Sequence, residues 1–361
     1  MPTPSTASDL NLTALMSDAH WLSFGFNPEQ NALFFLQADD HLMDASVFIN
    51  GRWLQERPFA TFPLAEVSSV CGAMTTATAT PAPQGLVLHT AFCCSTLFAR
   101  CLQNPGVTRV LRELPLYSGL PRARAMLLER YGDLAVWRQL IEVTAALSHR
   151  RFAGESATFN KPSNAFLGAA SDFLSTATAC RGVLLHGDLP AFLLSAAKKI
   201  DQGRAPWLAM LAGLNPDPVQ VQRSGIDLAQ AHPMQLAALV WHVQMTMIET
   251  LSQDASAPRL RHLDTRTFLD DPHRAIAAAQ TWLAPDLAMP VPKDVIDREL
   301  QRDAKHRGAG FTQEKRAAEA REVRQRYAPV LNDTRTWSEK TFGPWENACA
   351  FRLQPLLAEV R

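Results

Sequence analysis

Chemistry-bearing residues are densest in the stretch His89-Thr90-Ala91-Phe92-Cys93-Cys94-Ser95-Thr96. It follows the apolar run that starts at Leu86 and leads into Leu97, Cys101 and Leu102 at helical spacing. The first part reads as a buried strand and the second as a helix. Small residues at such a junction let the backbone N–H groups of Cys93, Cys94, Ser95 and Thr96 converge on an anion, and two hydroxyls add donors to the same charge. The bland alternative is an ordinary turn capped by Ser95. The nucleotide-binding pattern GxxxxGK[ST] is absent, and no lysine stands where it would reach a terminal phosphate. A thiol at a predicted helix start acidifies and can act as a nucleophile or redox sensor; alternatively Cys93 and Cys94 serve as small apolar turn residues.

Four further positions belong to the same analysis. Lys161 stands between the run Ala157–Asn160 and a Pro-Ser-Asn turn, which places it at the carboxyl edge of a sheet, as a ligand-facing cation or as a solvated loop lysine. Glu113 ends the run that begins at Thr108 and precedes Leu114-Pro115, so its carboxylate emerges near that edge as a candidate base. His89 and His186 also end apolar runs, where an imidazole works as a general base or is tied to backbone. His242 and Gln244 lie on a predicted helix after Pro233 and face either the sheet or an acceptor, while Trp241 reads as core. The histidines are scattered, with no HExxH and no CxxC pair, so no metal site is expected.

These residues must be positioned by alternating elements. Leu86–Phe92, Thr108–Leu114, Ala157–Pro162, Gly182–Asp188 and Arg259–Thr265 read as strands separated by helical segments, including Arg122–Arg150, Leu189 onward through Lys198-Lys199-Ile200, Pro233–Leu251 and the segment entered at Asp271-Pro272. Ser163 or Asn164 is the expected cap of another. That alternation predicts a mainly parallel sheet with helices on both faces. Upstream, Asn31–Ala38 and Ala45–Gly51 read as strands, with a hairpin turn at Asn50-Gly51 before Arg52–Glu56. Thr75–Gly85, rich in Thr, Ala and Pro, reads as a linker. The expected organisation is an N-terminal accessory α+β segment over 1–80, an α/β core over 81–295 and a charged helical extension over 296–361.

The 361 residues carry 35 Lys+Arg against 35 Asp+Glu, a balance that argues against a sequence-independent nucleic-acid binder and removes a polybasic route to a membrane. A 47% hydrophobic content supports a large core, and the 19% charged fraction disfavours disorder. No apolar run reaches the roughly 20 residues of a membrane helix. No signal peptide is legible at the N-terminus, and six cysteines, two of them adjacent, do not make a disulfide framework. A cytoplasmic protein is expected.

The loop and helix at 92–97 resemble the 5′-phosphosulfate loop of bacterial P-loop sulfotransferases, roughly [PR]-x-S-G-[ST]-T-L-L, with Ser95-Thr96-Leu97 on S/T-T-L and Cys94 on the glycine. Phe92 falls where that family carries Lys or Arg. Val110–Leu116 is similar to a segment ending in R-E-P, with Leu114 inserted, and Lys161 falls on a catalytic lysine. The segment Gly182–Lys199 resembles the 3′-phosphate strand and helix, with Ser195 on its serine and His186 or Gly187 in place of its arginine; Lys198, Lys199 and Arg307 offer cationic help. Arg259–Leu283 is similar to a later L-R-Y-E-D-L-x-x-D-P segment, and Lys305–Phe311 to a loop that closes over the nucleotide. The resemblance covers about Leu86–Leu283 and 305–311.

It implies a three-layer α/β/α P-loop fold and transfer of a sulfuryl group from 3′-phosphoadenylyl sulfate to a hydroxyl or amine of a small molecule, without a metal. Cys93, Cys94, Ser95, Thr96, Ser195 and Arg307 would hold the nucleotide, while Lys161, Glu113 and His186 would serve the chemistry. An ATP-dependent phosphotransferase and a catalytically silent nucleotide-binding protein are the alternatives. Acceptor identity and oligomeric state are not legible.

Overall fold

The computed structural model describes residues 11–49, 57–77, 84–287, 289–302, 313–343 and 352–357. The five apolar runs of the core become strands β4 (Gln84–His89), β5 (Thr108–Arg112), β6 (Ala157–Lys161), β7 (Arg181–His186) and β8 (Leu260–Asp264), following β1 (Trp21–Asn27), β2 (Ala32–Gln37) and β3 (Phe59–Pro63). A last short strand, β9 (Gln354–Pro355), pairs with β8. The core sheet has six strands in the order β5-β6-β4-β7-β8-β9, and every pairing in it is parallel. Parallel strands need crossovers, and here these are helices on both faces.

The alternation of side chains shows the two faces directly. Leu86, Leu88 and Leu184 join one buried cluster with the helices Pro115–Tyr131, Ala135–Ser148, Leu189–Ala197 and Pro233–Gln253. Val87, Val183 and Leu185 join the other, with the helices Ser95–Leu102, Pro272–Leu283 and Lys293–Leu300. The fold is therefore the expected α/β/α sandwich. After β4 the chain crosses to the β5 edge, whereas after β7 it crosses to β8, so the carboxyl ends of β4 and β7 flank a topological switch point. In open α/β sheets that crevice is where ligands collect.

Before the core, β1, β2 and β3 form an antiparallel sheet, and the helices Leu12–Ser17, Asp40–Ala45 and Leu64–Ala77 accompany it. The expected strand over Ala45–Gly51 is corrected within the described residues. Asp39 accepts from the Leu42 amide at 2.6 Å and starts a helix that Ala45 ends, and the Ile49 amide bonds to the Arg112 carbonyl at the end of β5 instead of to a hairpin partner. Asn50-Gly51 and Arg52–Glu56 lie outside the described residues. The linker expected over Thr75–Gly85 is also narrower, because Thr75–Ala77 close a helix and Gln84-Gly85 open β4. The single stripe expected over Arg122–Arg150 is two helices, parted where Gly132 adopts φ +69° and ends the first. The helix begun at Leu189 ends at Ala197 rather than running through Ile200.

Ser163 precedes a 3-10 turn, Asn164–Ala169, without a side-chain cap. Gly168 in that turn lets it approach the Leu214 carbonyl, because a Cβ there would stand 2.3 Å from that oxygen and 3.2 Å from Pro121 Cβ. Gly168→Ala is expected to cost about 1–3 kcal/mol by overpacking. The change should appear as a lower urea midpoint at unchanged slope, and an unaltered midpoint would mean the two backbones do not meet. Among the described residues no helix is long and apolar enough to cross a membrane.

Candidate functional site

The loop after β4 is tied down from three directions. The Thr90 amide bonds to Leu185 O of β7, and the Ala91 amide donates to Gln244 Oε1 at 2.6 Å. The single hydroxyl proton of Thr265 serves one of two carbonyls, His186 O at 2.8 Å or Cys93 O at 3.1 Å. His89 bridges two loops, with Nδ1 2.8 Å from Thr90 O and Nε2 2.9 Å from Pro162 O after β6. A neutral ring donates to one of these carbonyls and a protonated ring to both. His89 therefore holds backbone together and does not face an acceptor. Gln244, fully buried in the helix Pro233–Gln253, faces the loop, whereas His242 turns away to Ser338 Oγ at 2.7 Å and stacks on Phe342.

Phe92 (φ 59°) and Cys94 (φ 60°) are both left-handed, a conformation that costs about 1–3 kcal/mol each at a non-glycine residue. Cys94 occupies the N-cap of the helix Ser95–Leu102 and gives it no side-chain cap. The amides of the first turn are thus left to be satisfied by something else. Part of that demand is met internally, because the Cys93 thiol donates to Thr90 O at 3.0 Å and lies against the Ser95 amide. Burial pushes that thiol up to about 12, against the opposing pull of the Lys161 charge, so Cys93 is a protonated turn residue and not a nucleophile. Neither cysteine forms a disulfide among the described residues. Thr90 Oγ1, completely buried in the loop, and Ser163 Oγ, beyond β6, have no hydrogen-bond partner among the described residues. Substituting Gln244 by Leu should strand the Ala91 amide, cost about 1–3 kcal/mol and speed hydrogen exchange at Ala91. Unchanged protection at that amide would remove Gln244 from this role.

Lys161 and Glu113, 48 positions apart in the chain, meet as an ion pair because β6 lies beside β5. Lys161 is 1% exposed and the Glu113 side chain 23%. Glu113 is itself left-handed (φ 56°), and its amide bonds to Lys161 O at 2.7 Å, which turns the carboxylate back over β6. Phe48, from the N-terminal segment, lies 5.5 Å from the lysine Nζ. That segment is anchored where Arg112 donates to Met43 O, where Gln103 Nε2 meets Asp44 at 2.6 Å, and where Arg109 pairs with Asp40 at 2.8 Å and Glu155 at 2.6 Å. The stretch over 40–48, outside the accessory sheet itself, thus closes one side of the Lys161–Glu113 pair. No local sequence pattern signals this contact.

At the end of β7, His186 Nε2 lies 3.2 Å from His262 Nδ1, and Asp264 stands 4.0 Å from its other nitrogen. Burial lowers the His186 pKa to about 4, with Asp264 opposing and His262 reinforcing the shift, so the ring is neutral at pH 7. Beside it opens a cleft of about 700 Å³ at the carboxyl ends of β7 and β8. Among its described lining residues, Asp188, Asp264, Asp270, Asp297 and Glu314 outnumber Arg266 and Arg316. Ser195 is half-buried in the helix Leu189–Ala197, and Arg307 lies outside the described residues. The structure therefore brings together the 93–96 loop, Lys161 and Glu113. It gives the β7 end no cation from His186, and it surrounds that end with carboxylates.

The fold and this edge define a parallel α/β protein with a strand-loop-helix whose loop is left-handed at Phe92 and Cys94, and a buried lysine–carboxylate pair. No protein-family model matches the chain, and a search of curated proteins finds no match. Solved structures similar to it include two sulfotransferases. One is a sulfotransferase from Alicyclobacillus acidocaldarius, 11% identical, covering 73% of this chain and 96% of its own, with a TM-score of 0.36. The other is a sulfotransferase domain from the curacin biosynthetic pathway, 11% identical, covering 70% of this chain and 99% of its own, with a TM-score of 0.36.

Proposed function

We propose that the protein moves a sulfuryl group from 3′-phosphoadenylyl sulfate to a hydroxyl or amine of a small molecule. The observation that carries this reading is the meeting of Lys161 and Glu113 at the same sheet edge as the left-handed loop at 92–94. The uncapped first turn after Cys94 and the Ser95 and Thr96 hydroxyls fit the phosphosulfate end of the donor. The lysine ammonium would oppose the negative charge that builds on the oxygens in flight, and the carboxylate would take the acceptor's proton. Because the two groups pair directly, the acceptor's X–H group enters between them: the negative charge of the transferring group replaces the carboxylate beside Lys161, and the proton that Glu113 takes from the acceptor neutralises that carboxylate. Phe48 and the neighbouring segment 43–49 then form a wall of the acceptor side.

The 3′-phosphate end fits less well. A neutral His186 and a cleft whose described lining carries more carboxylates than its two arginines, Arg266 and Arg316, offer little net counter-charge there, which favours a second reading in which the chain binds a nucleotide without turning it over. Thermal unfolding with adenosine 3′,5′-bisphosphate, with ATP and Mg²⁺, and with neither separates the readings. A hundredfold excess over Kd raises stability by about 2.7 kcal/mol. The bisphosphate is expected to give that shift and ATP not to. A shift with ATP alone would replace sulfuryl by phosphoryl transfer, and bisphosphate binding without transfer to any acceptor in a broad panel would leave the silent reading.

A further inference from the structure

Two arginines share one indole at the end of the core sheet opposite to the 93–96 loop. Arg181 opens β7, and Arg261 lies near the start of β8, where Val183 is its register partner. Arg181, Val183 and Arg261 therefore project from one face, the face covered by the helix Pro272–Leu283. Trp282, near the end of that helix, lies against both arginines. Its ring centroid is 3.9 Å from the guanidinium carbon of Arg261 and 4.9 Å from that of Arg181. The indole Nε1 donates to Gly182 O at 3.0 Å, which fixes the ring over β7. Each guanidinium spends part of its fork on carbonyls. Arg261 Nη1 donates to Leu260 O at 2.9 Å and Pro258 O at 3.1 Å, and Arg181 Nη1 to Trp282 O at 3.3 Å. The Nε and Nη2 groups of both arginines bind nothing among the described residues and reach solvent. No carboxylate among the described residues pairs with either guanidinium. Like charges on neighbouring strands repel, and burial together with the Arg181 charge holds Arg261 below the ordinary arginine range. An indole face attracts a guanidinium without cancelling its charge. The cluster thus holds two positive charges together and leaves their countercharge to come from outside.

We infer that Arg181 and Arg261, seated against Trp282, bind a tetrahedral dianion, a phosphate or sulfate group, at the amino-terminal rim of the core sheet. Guanidinium forks match the oxygens of such a group bidentately. A dianion also meets both charges, whereas a carboxylate meets one. The strand that joins the two rims, Arg181–His186, is roughly 16 Å long at 3.3 Å per residue. The site is therefore separate from the 93–96 loop, and it stands whether or not the reaction proposed there is correct.

Fluorine NMR on the full chain labelled with 5-fluorotryptophan tests this, because Trp282 reports on this site and not on an anion held elsewhere. The Trp282→Phe chain assigns the resonance. Inorganic phosphate and sulfate at pH 8 are expected to move it saturably, and sodium chloride or acetate at equal ionic strength is not. Arg261→Gln and Arg181→Gln should each weaken phosphate binding about tenfold, since each removes charge-assisted hydrogen bonds. Arg261→Lys, which keeps the charge but not the fork, should weaken it less. Glycerol phosphate, close to a dianion at pH 8, separates the two sources of the group. Affinity equal to that of inorganic phosphate means that the site takes the group on a larger molecule, lower affinity that it takes the free ion, and either upholds the inference. A Trp282 resonance that phosphate and sulfate leave unmoved, or that chloride moves as far, overturns it. So does phosphate binding that is unchanged in both Arg261→Gln and Arg181→Gln. Should one of these variants melt well below wild type, the other and Arg261→Lys carry the test, since the two arginines lie on different strands.

Discussion

Glu113→Gln is expected to lower stability by about 3–5 kcal/mol, far more than an exposed carboxylate would. The reason is the partner. Lys161 is 1% exposed, so deleting the carboxylate charge removes the countercharge from a buried ammonium that also lies over the Phe48 face. An aromatic quadrupole does not replace a countercharge. Lys161→Met should cost less, because the Glu113 side chain that it leaves behind is 23% exposed and can recruit water. The double variant Glu113→Gln/Lys161→Met should regain much of the loss, since a neutral pair leaves no buried charge without its partner. Urea midpoints of the wild type, the two single variants and the double variant form a thermodynamic cycle in which the coupling is the readout. A Glu113→Gln chain within about 1 kcal/mol of wild type would show that the lysine is not held as a buried charge, and the proposed division of labour between the two groups would lose its basis. All three variants are expected to lose sulfuryl transfer, so stability and activity report separately on the same contact.

The layout of the core was legible because parallel strands buried on both faces are continuous apolar runs, and all five such runs, from Leu86 to Thr265, are strands within a few residues of the expected bounds. The accessory sheet was less so. The strand over Asn31–Ala38 appears as β2, but β1 and β3 flank it without having been anticipated, and Ala45 proves helical because an Asp39 cap outweighs a short β-branched run. The site divides in the same way. The loop at 93–96, Lys161 and Glu113 could be placed at one edge because each ends a strand, and the carboxyl ends of parallel strands lie together. That Lys161 and Glu113 touch follows from strand order, which puts β6 between β5 and β4, and strand order is not a local property. Phe48 over Lys161, Gln244 on the Ala91 amide and Lys199 on Phe92 join residues 113, 153 and 107 positions apart, and no periodicity or spacing encodes such meetings.

Acid should destabilise the fold well before its carboxylates titrate, because two histidines are buried in neutral form. Burial lowers His186 to about 4, with Asp264 opposing and the adjacent His262 adding to the effect, and burial alone lowers His242 to about 3. His262 is lowered as well, chiefly by burial. In the unfolded chain these rings take up protons near 6.5. Between pH 6.5 and 4 the unfolded state therefore binds more protons than the native state, so stability rises with pH across this window and falls as the solution is acidified. From pH 6.5 to 5, each fully buried ring contributes about 2 kcal/mol at 1.36 kcal/mol per unit, or about 4 kcal/mol for His186 and His242 together. Urea midpoints at pH 7, 6 and 5 measure this, and stopping at pH 5 keeps most carboxylates ionised in both states. His242→Gln, which can still hydrogen-bond to Ser338, is expected to remove about half of the pH slope whatever it does to the midpoint at pH 7. A wild-type midpoint that stays level from pH 7 to 5 would show that the rings are protonated in the folded state. His186 would then carry positive charge at the end of β7, and the chief objection to a 3′-phosphate at that end would disappear with it.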